Sequence, residues 1–143
     1  LTPVFTAVEK GQDPAAARLA AQEGLKGVPH YFLDDAGAAG TIIGALSRME
    51  VVVSMRLHAL IFASGQGIPL AGVVYDPKVS SFLRYIGQKN FADLDTLTGE
   101  MLKAMIDRAA AQAGDKPAQA EAVRSLRELE RGNVDIAKRL LEG

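Results

Sequence analysis

The sequence contains no cysteine. Disulfides and thiolate metal sites are therefore ruled out, and the usage argues against a secreted, bridge-stapled scaffold; it fits a cytoplasmic enzyme. Charge of one sign is lacking too. Sixteen Lys and Arg stand against seventeen Asp and Glu, a net charge of -1, so there is no electrostatic case for a nucleic-acid partner. The N-terminus has no basic region followed by an apolar stretch, as a signal peptide would. The longest apolar run, Val51 to Val74, is broken by Ser, Arg, His, Gly and Pro, a pattern a transmembrane helix tolerates poorly. No G-x-x-x-x-G-K-[ST] and no G-x-S-x-G occurs, and Gly37, Gly40 and Gly44 do not follow a strand as G-x-G-x-x-G. Solenoid repeats and low-complexity linkers are missing as well.

What remains is 143 residues, 48% hydrophobic and 23% charged, enough for one globular domain with a real core. The chain alternates strand-like and helix-like segments. Pro3 to Val8 is a short β-branched and aromatic run. Asp13 then precedes Pro14, an N-cap followed by proline at the first helical position, and the Ala-rich stretch after it ends near Gly27. Val28 to Leu33 is the next strand candidate, and Asp34-Asp35 leads to a helix over about Ala39 to Met49. Val51 to Val53 lacks polar alternation, so both its faces should be covered. A helix from about Met55 to Gln66, capped by Ser54, is expected next.

Ile68 to Val74 is another apolar strand, Asp76 and Pro77 open a helix that Gly87 closes, and Asn90 to Leu94 is a last short strand. From Thr98 onward the chain looks helical, with a break at Gly114 to Pro117. Strands alternating with helices predict an α/β domain: a Rossmann-like parallel sheet with helices on both faces. The chain starts at Leu1 with no Met and enters a β-like segment at once, so it reads as part of a longer protein. The tail carries Val123, Leu126, Leu129, Ile136, Leu140 and Leu141 as an amphipathic stripe. A solvated helix packing on the domain is the expectation, interrupted at Gly132-Asn133.

Within Val51 to Val74 only Arg56 and His58 are ionisable. A charge built into a buried segment needs a partner, either in the protein or in a ligand. In a doubly wound sheet, ligands sit beyond the carboxyl ends of the strands, where helix N-termini favour anions. Ser54, Arg56 and His58 fall at such a place. A guanidinium there offers a planar fork to carboxylate or phosphate. An imidazole can donate to the same anion or move a proton. In a regular helix positions i and i+2 diverge, so Arg56 and His58 converge only if Arg56 lies in the extended strand exit. The structural alternative pairs Arg56 with a buried carboxylate and makes His58 a satisfied core histidine. Tyr75-Asp76-Pro77-Lys78 closes the next strand, and Lys78 is either a further cation for the same anion or a solvated lysine. His30, inside an apolar strand, reads as structural.

The string from Ser54 to Leu83 resembles the signature region of polysaccharide pyruvyl transferases. In that family a Ser-x-Arg-Leu-His segment is followed by an apolar helix, a Gly-hydrophobic-Pro turn, an apolar strand and a Tyr-Asp-x-Lys segment. Here these are Ser54 to His58, Gly67-Ile68-Pro69, Leu70 to Val74, and Tyr75 to Lys78. The resemblance covers about residues 1 to 95; the tail, 96 to 143, is similar only in being helical. It implies a glycosyltransferase-B-like fold of two Rossmann-type domains, with this chain as the C-terminal one and the N-terminal one absent. It also implies transfer of pyruvate from phosphoenolpyruvate to a sugar diol of a saccharide or lipid-linked polymer, giving a ketal and phosphate. Arg56 and His58 would then act on phosphoenolpyruvate, with His58 as acid and Ser54 and Lys78 as further donor-site residues. No metal or organic cofactor enters this scheme, and a homo-oligomer is compatible with it. Two other readings stay open: a nucleotide-sugar glycosyltransferase domain, and a non-catalytic binding or structural domain of the same fold.

Overall fold

Strands form where apolar residues run without polar interruption, and the longest such runs become the centre of the sheet. The computed structural model of the chain describes residues 4–5, 19, 22–29 and 38–142. Its elements in chain order are β1 (Val4–Phe5), α1 (Ala39–Leu46), β2 (Val51–Ser54), α2 (Leu57–Gly65), β3 (Leu70–Val74), α3 (Pro77–Tyr85) and β4 (Phe91–Asp93). A 3-10 turn over Leu94–Thr96 leads to α4 (Gly99–Gln112) and α5 (Lys116–Glu142). The strands make one parallel sheet in the order β1-β2-β3-β4. Val52 pairs with Leu70, Ser54 with Gly72, and Gly72 with Phe91. The α/β class and parallel sheet expected from the sequence are thus found. The expected helix before Gly27 is seen in part, at residues 22–24, with Gly27 left-handed at φ 81°. The strand expected over Val28 to Leu33, His30, and the Asp13-Pro14 and Asp34-Asp35 sites lie wholly or mostly outside the described residues.

Strand alternation divides the core. Val52, Leu70 and Val74 face one side, where they cluster with Leu46, Leu60, Ala63, Val79 and Leu83 from α1, α2 and α3. Right-handed crossovers between strands added in one direction put α2 and α3 on that same face. Val51, Ala71 and Val73 point to the other side and are buried as well. There α4 contacts β2 and β3 and supplies Met105 and Ala109 to the interior. Helices therefore cover both faces, and β3 is buried along its whole length. Leu46, Leu60 and Leu83 are fully buried, and each such side chain stabilises the fold by about 1.5–3 kcal/mol.

Asn90 ties the layers together. Its Nδ2 donates to the Leu70 carbonyl at 2.9 Å and to the Met105 carbonyl at 2.8 Å. One side chain thus links the start of β3 to α4. Replacing Asn90 with alanine leaves both carbonyls without this donor and is expected to cost about 1–3 kcal/mol, measurable as a lower midpoint in urea unfolding at unchanged slope.

Two helix boundaries differ from expectation. Ser54 belongs to β2, and the N-cap position of α2 is Arg56, with extended backbone (φ -90°, ψ 121°) and no side-chain cap. Ser54 Oγ instead accepts from the Arg56 amide at 2.9 Å, a short fold-back before the helix starts. At the tail, Gly132-Asn133 does not interrupt α5, which runs unbroken for 27 residues. By contrast, Asp76 and Pro77 do what their types predict. Asp76 caps α3 by accepting from the Lys78 amide at 2.9 Å, and Pro77 occupies its start.

Candidate active site

The C-terminal edge of the sheet collects the residues singled out from the sequence. β2 and β3 are parallel neighbours, so the strand exits at Ser54 and Val74 lie side by side, and α2 and α3 both start there. No reversal of strand order occurs among the described strands. What the sheet offers is a shelf: two helix N-termini aimed at one edge, with the side chains of Arg56, His58, Tyr75 and Lys78 on the surrounding loops and first turns.

Each position has a local cause. Val51 to Val53 are drawn into the sheet by burial, and Ser54 follows them as the last paired residue, 3% exposed. Its fold-back bond turns the chain at Met55, which leaves Arg56 extended and half-buried before the first helical turn. That is the condition under which Arg56 and His58 need not diverge as they would at i and i+2 of one helix. Arg56 also makes a further interaction within the chain. The first intrahelical bond of α2 runs from Leu60 N to the Arg56 carbonyl at 3.1 Å. The amides of Leu57, His58 and Ala59 therefore have no intrahelical acceptor, and the Arg56 side chain at the cap position does not bond them. Such an end carries partial positive charge.

His58 is exposed. Burial on α2 falls on Ala59, Leu60, Ala63 and Ser64, and His58 lies outside this face, with its ring 6.5 Å from that of Phe62 at 47°. A satisfied core histidine is thereby ruled out. Lys78 is 59% exposed and its Nζ stands 3.5 Å from Asp76 Oδ2, an exposed pair of small energetic worth. That ammonium can exchange Asp76 for a ligand anion at little cost. Tyr75, the first residue after β3, is 44% exposed, an orientation the sequence pattern did not single out; an aromatic leaving an otherwise fully apolar strand was the available signal. The edge is open. Depressions of about 450 Å3 and 310 Å3 lie elsewhere, one along the charged face of α5 and one beside Arg84, Lys89 and Phe91.

Comparison with known proteins bears on the segment that carries most of these residues. A family model matches residues 9–77, a span that includes Ser54, Arg56, His58 and the strand exit at Tyr75. The matching family is polysaccharide pyruvyl transferase. The resemblance read from the signature segments is therefore shown for just under half of the chain, and the match ends at Pro77, one residue short of Lys78. The matched segment contains β2, α2 and β3, the elements that build the shelf. No curated protein matches the chain. Among solved structures, one titled as the glycotransferase of kitacinnamycin aligns with a TM-score of 0.55 over 95% of this chain at 15% identity. That likeness speaks to the fold alone and is consistent with a glycosyltransferase-B-like architecture. The chain spans 42% of that structure's length.

Proposed function

We propose that this chain is the donor-binding, C-terminal half of a transferase that moves pyruvate from phosphoenolpyruvate to two hydroxyls of a sugar in a polysaccharide or lipid-linked precursor. The observation that carries this reading is that the segment matching the pyruvyl transferase model contains a helix start with Arg56 at the cap position and an exposed His58 in its first turn. Phosphoenolpyruvate carries a carboxylate and a phosphate. An extended arginine beside free helical amides is suited to one of these anions, and Lys78 on the next strand exit to the other.

In the chemistry, a proton goes to the methylene carbon of phosphoenolpyruvate, and the electron pair of the C=C bond forms the new C–H bond. The adjacent carbon becomes cationic and takes a sugar hydroxyl. Phosphate then leaves with the C–O bonding pair, and the second hydroxyl closes the ketal. The two hydroxyl protons return to the acid and to the departing phosphate. His58 gives the first proton. Arg56 holds the donor while its charge changes. The sugar approaches from the open side of the shelf, which leaves acceptor contacts to a second, N-terminal domain.

Calorimetry with phosphoenolpyruvate and with a nucleotide sugar tests the donor class. Binding of phosphoenolpyruvate alone is expected, whereas binding of the nucleotide sugar alone would replace pyruvyl transfer with glycosyl transfer. In the complete enzyme, Arg56→Lys keeps the charge but loses the fork. The loss of a charge-assisted hydrogen bond predicts a rise of about 10- to 100-fold in the donor KM. An unchanged donor KM would remove Arg56 from the site. Because Arg56 also contacts the rest of the chain, the thermal midpoint of the variant is to be measured alongside.

A further inference from the structure

α5 leaves the domain half-way along its length. In its first half Gln119, Val123 and Leu126 are half-buried. A side chain at Gly67, in the turn after α2, would meet Val123 Cγ2 at 3.0 Å and the Gln119 carbonyl at 3.1 Å, so this half is seated closely on α2 and the turn after it. The stripe then continues through Leu129, Asn133, Ile136 and Leu140, three and four residues apart in alternation. That is the spacing of a coiled-coil seam. In this second half it is uncovered: Leu129 is 39% exposed, Ile136 57% and Leu140 78%. Gly132 adjoins the seam, and a side chain there would meet nothing within 4 Å. This chain therefore gives no reason for glycine, the poorest helix former after proline, in the middle of its longest helix.

We propose that the second half of α5 is a dimerisation element that pairs, antiparallel, with the same segment of a second copy of this chain. Direction follows from the fold. The first half of the stripe is occupied by the chain's own α2, so a parallel partner helix would run into that domain. An antiparallel partner runs off beyond the end of α5 and carries its own domain away from the first. In that register Leu129 faces Leu140 of the second copy, and Asn133 faces Ile136. The contact is isologous, as a two-fold dimer requires. One polar residue in an otherwise apolar seam fixes register at a cost in stability. Along one flank Arg139 lies opposite Gly132 and Glu128 of the second copy, so the missing side chain makes room for a cation beside a carboxylate.

The size of the seam sets the strength. Four layers of side chains and their flanks bury on the order of 1,000 Å2 in total, the lower bound for a specific interface. The dimer is therefore concentration-dependent. Sedimentation velocity on the 143-residue chain over a wide concentration range should show conversion from 15.1 kDa to twice that mass. Ile136→Asp should abolish the conversion while leaving thermal unfolding of the α/β body unchanged. Since the native chain has no cysteine, the double variant Leu129→Cys/Leu140→Cys should form a disulfide-linked dimer on mild oxidation, and neither single variant should. A monomer at every concentration overturns the proposal, as does a dimer that Ile136→Asp leaves intact. Cross-linking through Leu129→Cys alone or Leu140→Cys alone overturns the antiparallel arrangement.

Discussion

Replacing His58 with alanine in the complete enzyme is expected to lower the rate of phosphate release from phosphoenolpyruvate by about 100- to 10,000-fold, the range supplied by a positioned general acid. The fold should be indifferent to the change. His58 is exposed on α2, its described ring contact is a tilted one with Phe62, and the buried face of the helix is carried by Ala59, Leu60, Ala63 and Ser64. Unfolding midpoints of wild type and variant should therefore agree, which separates a chemical loss from a structural one. His58→Gln refines the test. Glutamine can still donate a hydrogen bond to an anion but cannot deliver a proton to carbon. Donor affinity by calorimetry should fall little in His58→Gln, while turnover should fall as far as in His58→Ala. If His58→Gln instead lost donor binding and kept its turnover at saturation, His58 would be an anion ligand and the acid would lie elsewhere.

The features legible in the sequence were those with a local cause. β3 announced itself because Leu70 to Val74 is apolar at every position, and a strand buried on both faces needs that. Asp76 and Pro77 marked the start of α3 because capping and a fixed proline φ act within two residues. Ser54 looked like a cap for the same reason and was not one. Its pairing with Gly72 holds it in β2, and tertiary pairing moved the cap to Arg56. The exposure of His58 was hidden because an apolar run does not say which helical face is covered; that depends on where β2, β3 and α1 lie. Asn90 was illegible since its two acceptors stand 20 and 15 residues away. The continuity of α5 through Gly132-Asn133 also went against a local rule. A glycine costs a helix interior about 1 kcal/mol relative to alanine, which a 27-residue helix absorbs.

The largest stability effects are expected where α3 lies against β3. Gly72 is a glycine in the middle of a buried strand, a sign of close approach by another element. A Cβ there would stand 2.6 Å from Leu83 Cδ1 and 3.2 Å from Phe91 Cβ. Leu83 is fully buried and Phe91 belongs to the neighbouring strand, so neither moves away freely. Valine suits a strand by propensity, yet Gly72→Val should destabilise the domain by about 1–3 kcal/mol through overpacking. Leu83→Ala should cost about 2–5 kcal/mol by leaving a cavity. The two defects are complementary, because the branched side chain at 72 extends into the space that Leu83 vacates. In the double variant the losses should sum to less than their total, with a favourable coupling of about 0.5–3 kcal/mol. Urea unfolding of the four proteins closes the cycle. Strict additivity would mean that α3 shifts away from β3 as a body rather than meeting it at this one contact.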